Sequence, residues 1–326
     1  MPVKKAVELL KKSLPIAVSI ALVAYLLSQT KISEIWQVLV NFPAGYLLGG
    51  FVLFVMGHFV RAVRFKVLLG ERAKVGGLFS ILAVQTAASG LLPLRSGEFS
   101  LVYLLKKQDG IEYPVGTAVL VLAKTLDFLA VTALFFISFG SLPVIPDFFR
   151  KLLPWAGGLF FLMALLLLLM GRSREIYARL PEFFREGPLA DNKLMKAVKQ
   201  VFKGAEVIRS RKTLLLSLAA TAVLWALLYG SNFLVLWGVG LKLSLLEMVF
   251  LTTSMSLFAN LPIHMPGGFG TTESFWTVLL FALGVPKEVG IATGFASHLV
   301  TIAFALVFML YGLKLIKSWK GAEVVS

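Results

Sequence analysis

Residues 115–139 and 213–238 form predominantly apolar runs too long for the core of a soluble domain. A bilayer-spanning helix needs about 20 such residues, and each run supplies them. Only helices and closed barrels satisfy their backbone groups in hydrocarbon. Dense Leu, Ala, Val and Phe without two-residue alternation predicts helices. Composition agrees: 58% of the chain is apolar and 15% charged, against about 45–50% and 25% in ordinary soluble domains. The expected class is an all-α integral membrane protein.

Lys4, Lys5, Lys11 and Lys12 precede an apolar stretch and imitate a secretory signal. No small-x-small cleavage site follows, so a retained first span is expected. Cysteine is absent, which excludes disulfides and thiolate metal sites. Lys and Arg outnumber Asp and Glu by 32 to 17. In a chain this apolar, that excess reads as cytoplasmic loops facing anionic lipid rather than as a nucleic-acid surface.

Six apolar stretches are uninterrupted: 14–29, 44–60, 113–138, 154–170, 213–238 and 288–313. Two more are broken, 78–105 at "GLLPLRSGE" and 245–284 at "NLPIHMPGGFGTTE". If each broken stretch enters and leaves on one side, 25 basic residues, among them Arg61 and Arg64, collect in the cytoplasm. Five stay outside (Lys31, Arg150, Lys151, Lys242, Lys287), and Arg95 and Lys124 lie within the membrane. Such asymmetry is what the positive-inside rule demands. The expectation is six transmembrane helices plus two re-entrant broken-helix hairpins, with both termini cytoplasmic in the plasma membrane.

Pro93 and Pro262 remove backbone donors, while Gly90, Gly97, Gly267, Gly268 and Gly270 permit turns. Non-helical backbone at membrane depth persists only when buried in protein or lining a wet cavity, so both breaks are candidate working sites. Each lies in a span–hairpin–span unit, and the two units enter from opposite sides, which predicts an inverted-topology repeat. The single domain divides into a first span and outer amphipathic segment (1–43), repeat 1 (44–138) and a fourth span with basic cytoplasmic linker (139–212). Repeat 2 (213–313) and a cytoplasmic tail (314–326) complete it.

Between residues 171 and 212, Leu194, Val198, Val201, Phe202, Ala205 and Ile208 recur at helical spacing, apart from Lys193, Lys196, Lys199 and Lys203. This predicts a helix lying on the inner leaflet. A shorter outer helix is expected over 33–41. Gly45 and Gly49 form a small-xxx-small pair suited to helix packing.

A charge at the centre of a span costs roughly 2.5–3.5 kcal/mol, so each one needs a reason. Arg95 and Glu98 are three apart, as are Lys124 and Asp127, and on a helix each pair shares a face. Glu273 follows the second break, and His264 lies inside it. His298 falls mid-span, where it either contacts Glu273 or substrate or is simply a buried, hydrogen-bonded histidine; His58 near a span end reads as structural or interfacial. An arginine beside free backbone amides can hold a phosphate, while buried carboxylates favour a cationic head group or a coupled proton. Substrate contact is therefore expected from Arg95, Glu98, Lys124, Asp127, His264, Gly267, Gly268, Gly270, Glu273 and His298. There is no Walker-type phosphate loop, HExxH or GxSxG, and neither metal nor cofactor is expected.

"RAVRFKVLLG", "GLLPLRSGEFS", "LAKTLDFLA" and "LPIHMPGGFGTTES" together resemble the lysylphosphatidylglycerol synthase transmembrane region, a flippase-like domain family. The resemblance covers nearly the whole chain. It implies a lipid-flipping domain with Arg95 and Glu98 in the first break, and Pro266, Gly267, Gly268, Gly270 and Glu273 in the second. Two positions depart from the family pattern. Lys124 stands where an arginine is usual, with Ala123 where an acid is common, and His298 stands where the family often has arginine.

The chain has no room for a soluble aminoacyl-transferring domain, so a stand-alone translocating domain and no enzyme is expected. Its substrate would be an aminoacylated phospholipid, another anionic phospholipid or a polyprenyl-phosphate sugar carrier. Two other readings stand beside it. One is an intramembrane enzyme acting on a lipid phosphate, with Glu98 or Glu273 as base. The other is a membrane partner, as a homo-oligomer or beside a separate synthase or glycosyltransferase.

Overall fold

The computed structural model describes residues 16–140, 147–171, 211–260 and 265–323; side chains at 93–95, 147–149, 152, 166–171 and 316–323 are not described. Every regular element among these residues is helical. Helices α1 (Ile16–Ser28) and α2 (Ile32–Val40) meet at 86°. Then come α3 (Ala44–Leu69) and the pair α4 (Val75–Leu91) and α5 (Phe99–Asp109), joined by a tight 3-10 turn over Pro93–Glu98. Helices α6 (Tyr113–Gly140) and α7 (Asp147–Gly171) follow. The second half runs α8 (Arg211–Gly238), α9 (Leu245–Ala259), a turn at Pro266–Gly268, α10 (Thr271–Ala282) and α11 (Lys287–Glu323).

Four helices are long and apolar enough to cross a membrane: α3, α6, α8 and α11; α1 and α2 together would make a fifth, bent span. The multi-pass helical class is therefore as expected. Of the other expected spans, α7 contributes an apolar stretch only over Leu153–Leu165 among the described residues. The basic inner-leaflet helix and His264 lie outside the described residues. The outer helix over 33–41 is present as α2, with Ile32, Trp36 and Val40 exposed.

Local chemistry sets the boundaries. Pro93 starts the first turn and Pro266 the second, where a missing N–H leaves no bond unmade. Gly267, Gly268 and Gly270 have φ of 65°, 74° and 82°, a region that Cβ-bearing residues rarely enter. Gly97 acts differently. Its backbone crosses α4 so closely that a Cβ would strike the backbone of Ala88 and Ser89, which makes it a contact residue rather than a turn residue. Ser244 caps α9, accepting from the Glu247 N–H while the Glu247 carboxylate accepts from the Ser244 N–H at 2.7 Å.

Helices α3 and α8 pack along most of their length, in contact through Gly49, Gly57 and Gly230, and Ser231 Oγ donates to the Gly50 carbonyl at 2.8 Å. The expected Gly45 is not part of this seam, because nothing lies near it. Two apolar cores flank the middle of α6. The first joins Phe65 and Leu68 of α3, Leu78 and Leu82 of α4, and Leu101 and Leu105 of α5 to the first half of α6 at Leu122 and Leu126. The second joins Leu236, Met248, Leu251 and Leu279 to Phe135 and Phe139 in its last turns. Between these cores the two breaks touch, and the polar side chains gather there.

Candidate functional site

The polar cluster is built on α6, whose apolar surface is interrupted by Lys124 and Asp127. These two residues do not pair with each other. Lys124 Nζ donates to Glu98 at 2.5 Å, and lies 3.5 Å from the Asn260 side-chain oxygen. Asp127 receives a two-pronged grip from Arg64, at 2.6 and 2.9 Å, and a third bond from the Trp225 indole at 3.1 Å. Arg64 also donates to Thr221 at 2.9 Å. The expected same-face pairing of Lys124 with Asp127 is thus replaced by contacts across helices.

Arg64 was expected among the cytoplasmic flanking charges. Instead α3 continues as helix to Leu69, and the Arg64 side chain is wholly buried. The reason is tertiary: an aspartate on α6 offers a planar, bidentate partner that a guanidinium matches in shape and charge. For the same reason His58, placed near a span end by sequence, lies mid-helix and buried. Its Nδ1 lies 2.9 Å from the Phe54 carbonyl, and its ring stacks among Phe54 and Phe308.

A cavity of about 230 Å³ opens beside this cluster. His58 and Arg61 of α3, Thr86 of α4, Lys124 and Asp127 of α6, and Asn260 after α9 provide its polar wall. Arg61, Arg64 and Lys124 face two carboxylates, Glu98 and Asp127, so the cluster carries an excess of positive charge. Such a site favours an anion. Sequence reasoning missed Arg61, Arg64, Thr86, Trp225 and Asn260. A signal for the arginines was present, because an aspartate at membrane depth demands a cation.

The second cluster surrounds the glycine turn. Glu273 is fully buried; one carboxylate oxygen accepts the Gly270 N–H at 2.7 Å and the other lies 2.6 Å from His298 Nδ1. Of the readings open for His298, the contact with Glu273 is present. Glu273 itself does not reach open space, and the Gly270 amide is already engaged by it. Ser19 of α1 ties the same turn down, donating to the Phe269 carbonyl at 2.9 Å.

His298 lines a second cavity of about 230 Å³ with Asn232, Thr252, Thr272, Trp276 and Thr301. Ser256 and Ala259 of α9 border both cavities. The backbone of Arg95 lies in the first turn, while its side chain is outside the described set. Among the expected residues, then, Glu98, Lys124 and Asp127 form one cluster, and Gly267, Gly268, Gly270, Glu273 and His298 form another. Burial of the Glu273 carboxylate keeps it out of the first cluster.

No curated protein and no solved structure matches the chain. A family model does, over residues 13–308, and its extent takes in both breaks, the α6 charges and His298. With two glycine-bearing breaks and charge pairs between helices in a multi-pass helical protein, the chain belongs to the lysylphosphatidylglycerol synthase TM region family.

Proposed function

We propose that this protein moves a lipid with an anionic head group across the plasma membrane, through a polar midplane cavity between two inverted repeats. The observation that carries this reading is the excess positive charge on the first cavity at the level of the breaks. A lipid phosphate is drawn there by Arg61 and Lys124. The family's name, which couples it to a phospholipid product, agrees with a lipid as cargo.

The repeat rests on matched packing. Helix α4 packs on α11 and α9 on α6, so each hairpin's first arm leans on the other half's last span. The two cores occupy opposite halves of α6, as hairpins dipping from opposite faces require. In this reading both termini are cytoplasmic. Because the chain has no cysteine, single cysteines at Lys106, Lys242 and Lys287 test it. Lys106 is expected to label only from the cytoplasm and the other two only from outside; outside labelling at Lys106 would remove the inverted repeat.

The function is tested in proteoliposomes carrying fluorescent phosphatidylglycerol or phosphatidylcholine. Accelerated translocation of phosphatidylglycerol is expected, with Lys124→Ala lowering it about tenfold or more, the loss of one charge-assisted contact. Wild-type rates equal to those of empty vesicles would overturn the reading. Hydrolysed or transferred head groups among the recovered lipids would favour an enzyme instead.

A further inference from the structure

We propose that the His298–Glu273 pair is a proton-binding site, and that its proton makes the second cavity receptive to the anionic head group the first cavity binds in its resting state. This deepens the translocation reading and rests on it.

The two halves place equivalent pairs at equivalent positions. Glu98 ends the first turn, at the foot of α5, and pairs with Lys124 on the next long helix, 26 residues on. Glu273 stands in the first turn of α10 and pairs with His298 on the next long helix, 25 residues on. Both pairs tie a hairpin's second arm to the span that follows. They differ in chemistry. A lysine facing a carboxylate keeps its charge, whereas histidine is the side chain whose charge changes between about pH 5 and 8.

Geometry gives the proton an address. The Glu273 carboxylate accepts the Gly270 N–H through one oxygen, and its other oxygen lies 2.6 Å from His298 Nδ1; with Glu273 ionised, Nδ1 donates its N–H there. That fixes the neutral tautomer and leaves Nε2 as the atom that takes a proton. The ring lines the second cavity, with its Nε2 edge beside Gly268. Protonation converts that edge from an acceptor into a cationic donor. The new charge stays compensated by Glu273 on the ring's far side, and a head-group oxygen then finds a partner in the cavity. Proton and anionic lipid therefore bind cooperatively, each raising affinity for the other.

The surroundings leave Glu273 as the partner that governs this ring. Helix α4 and the Pro266–Gly268 turn carry no ionisable side chain among the described residues. From the other elements against α11, α3 brings His58 and Arg61, which open on the first cavity, and the buried Arg64 bound to Asp127. Helix α2 brings Glu34, which opens on a separate depression with Glu288; α1 carries Tyr25, and α8 carries Tyr229 and, in its first turn, Arg211 and Lys212. Of these groups, only Glu273 is within hydrogen-bond distance of His298.

The chain has three histidines, so ¹⁵N-histidine NMR of the purified full-length protein resolves the site, with His298→Gln identifying its resonance. Over a series spanning about pH 5 to 8, adding phosphatidylglycerol to the micelle is expected to shift the His298 signal toward its protonated form. In proteoliposomes with equal pH on both sides, phosphatidylglycerol translocation by the wild type is expected to change about tenfold over the same interval. His298→Lys, which copies the first repeat, should hold its rate within about twofold across it. Glu273→Gln, checked for monodispersity, should move the His298 titration.

A His298 signal that stays in one state throughout, with and without lipid, would overturn the proposal. So would His298→Lys retaining the wild-type pH profile. Titration of His298 in a protein that moves no lipid at any pH would keep the proton site and overturn the translocation reading instead.

Discussion

Two ion pairs leave one turn of α6 in different directions. Asp127 turns toward α3 and α8, where Arg64 and Trp225 donate to it and Thr221 accepts from Arg64; the Arg64 side chain has no exposure, and Asp127, at the edge of the first cavity, has 16%. Lys124 turns toward the first break, and its pair with Glu98 is about a quarter exposed, at 26% and 21%. The same chemistry does two jobs because solvent access differs. A buried pair with bidentate geometry and extra donors locks three helices, and removing one partner strands the other charge. A pair on a cavity wall exchanges with water or ligand at little cost, so its charge is available to a substrate.

The comparison is sharpest in stability. Arg64→Ala takes the bidentate partner from Asp127, leaving the Trp225 indole and the more distant charges of Arg61 and Lys124, and should destabilise the protein by about 3 kcal/mol, read as a lowered thermal unfolding midpoint in detergent. Arg64→Lys should recover only part of this, because an ammonium does not reproduce the two-pronged contact. If Arg64→Ala unfolds like the wild type, the lock does not exist. Trp225→Phe removes one donor to Asp127 and keeps the ring packing, a loss of about 0.5–1.5 kcal/mol. Lys124→Ala should lie within about 1 kcal/mol of wild type, yet depress translocation most among these positions at equal folded protein. A Lys124→Ala protein that is strongly destabilised but transports normally per folded molecule would reverse the assignment of the two pairs.

The breaks were legible because proline and glycine punctuate otherwise continuous apolar sequence. The "GLLPLRSGE" and "MPGGFG" segments interrupt helices where expected, and Gly267, Gly268 and Gly270 hold the positive φ that their residue type allows. Gly97 was found for a different reason than the one that keeps it, since a close approach between two backbones leaves no trace in local sequence. The contact between Glu273 and His298 was among the alternatives that sequence offered, because a buried acid and a mid-span histidine both seek partners. Arg64 was misread. Charge-counting treats an arginine near the end of an apolar stretch as a flank, and its true partner lies 63 residues away.

What the sequence by itself determined is the solvent this chain folds in and the places where its helices stop. Both follow from short-range physics: runs of apolar side chains choose hydrocarbon over water, and residues lacking an N–H or a Cβ end or bend the helix locally. Only the tertiary structure decided which charges meet. Lys124 and Asp127 are three residues apart on one turn of α6, so helical spacing alone does not tell them apart. Their fates diverge because α3 and α8 present Arg64 and Trp225 to one, while the first break presents Glu98 to the other. An ion pair at membrane depth is selected by whichever complementary group packing brings within about 3 Å, and that choice is made between helices, not along them.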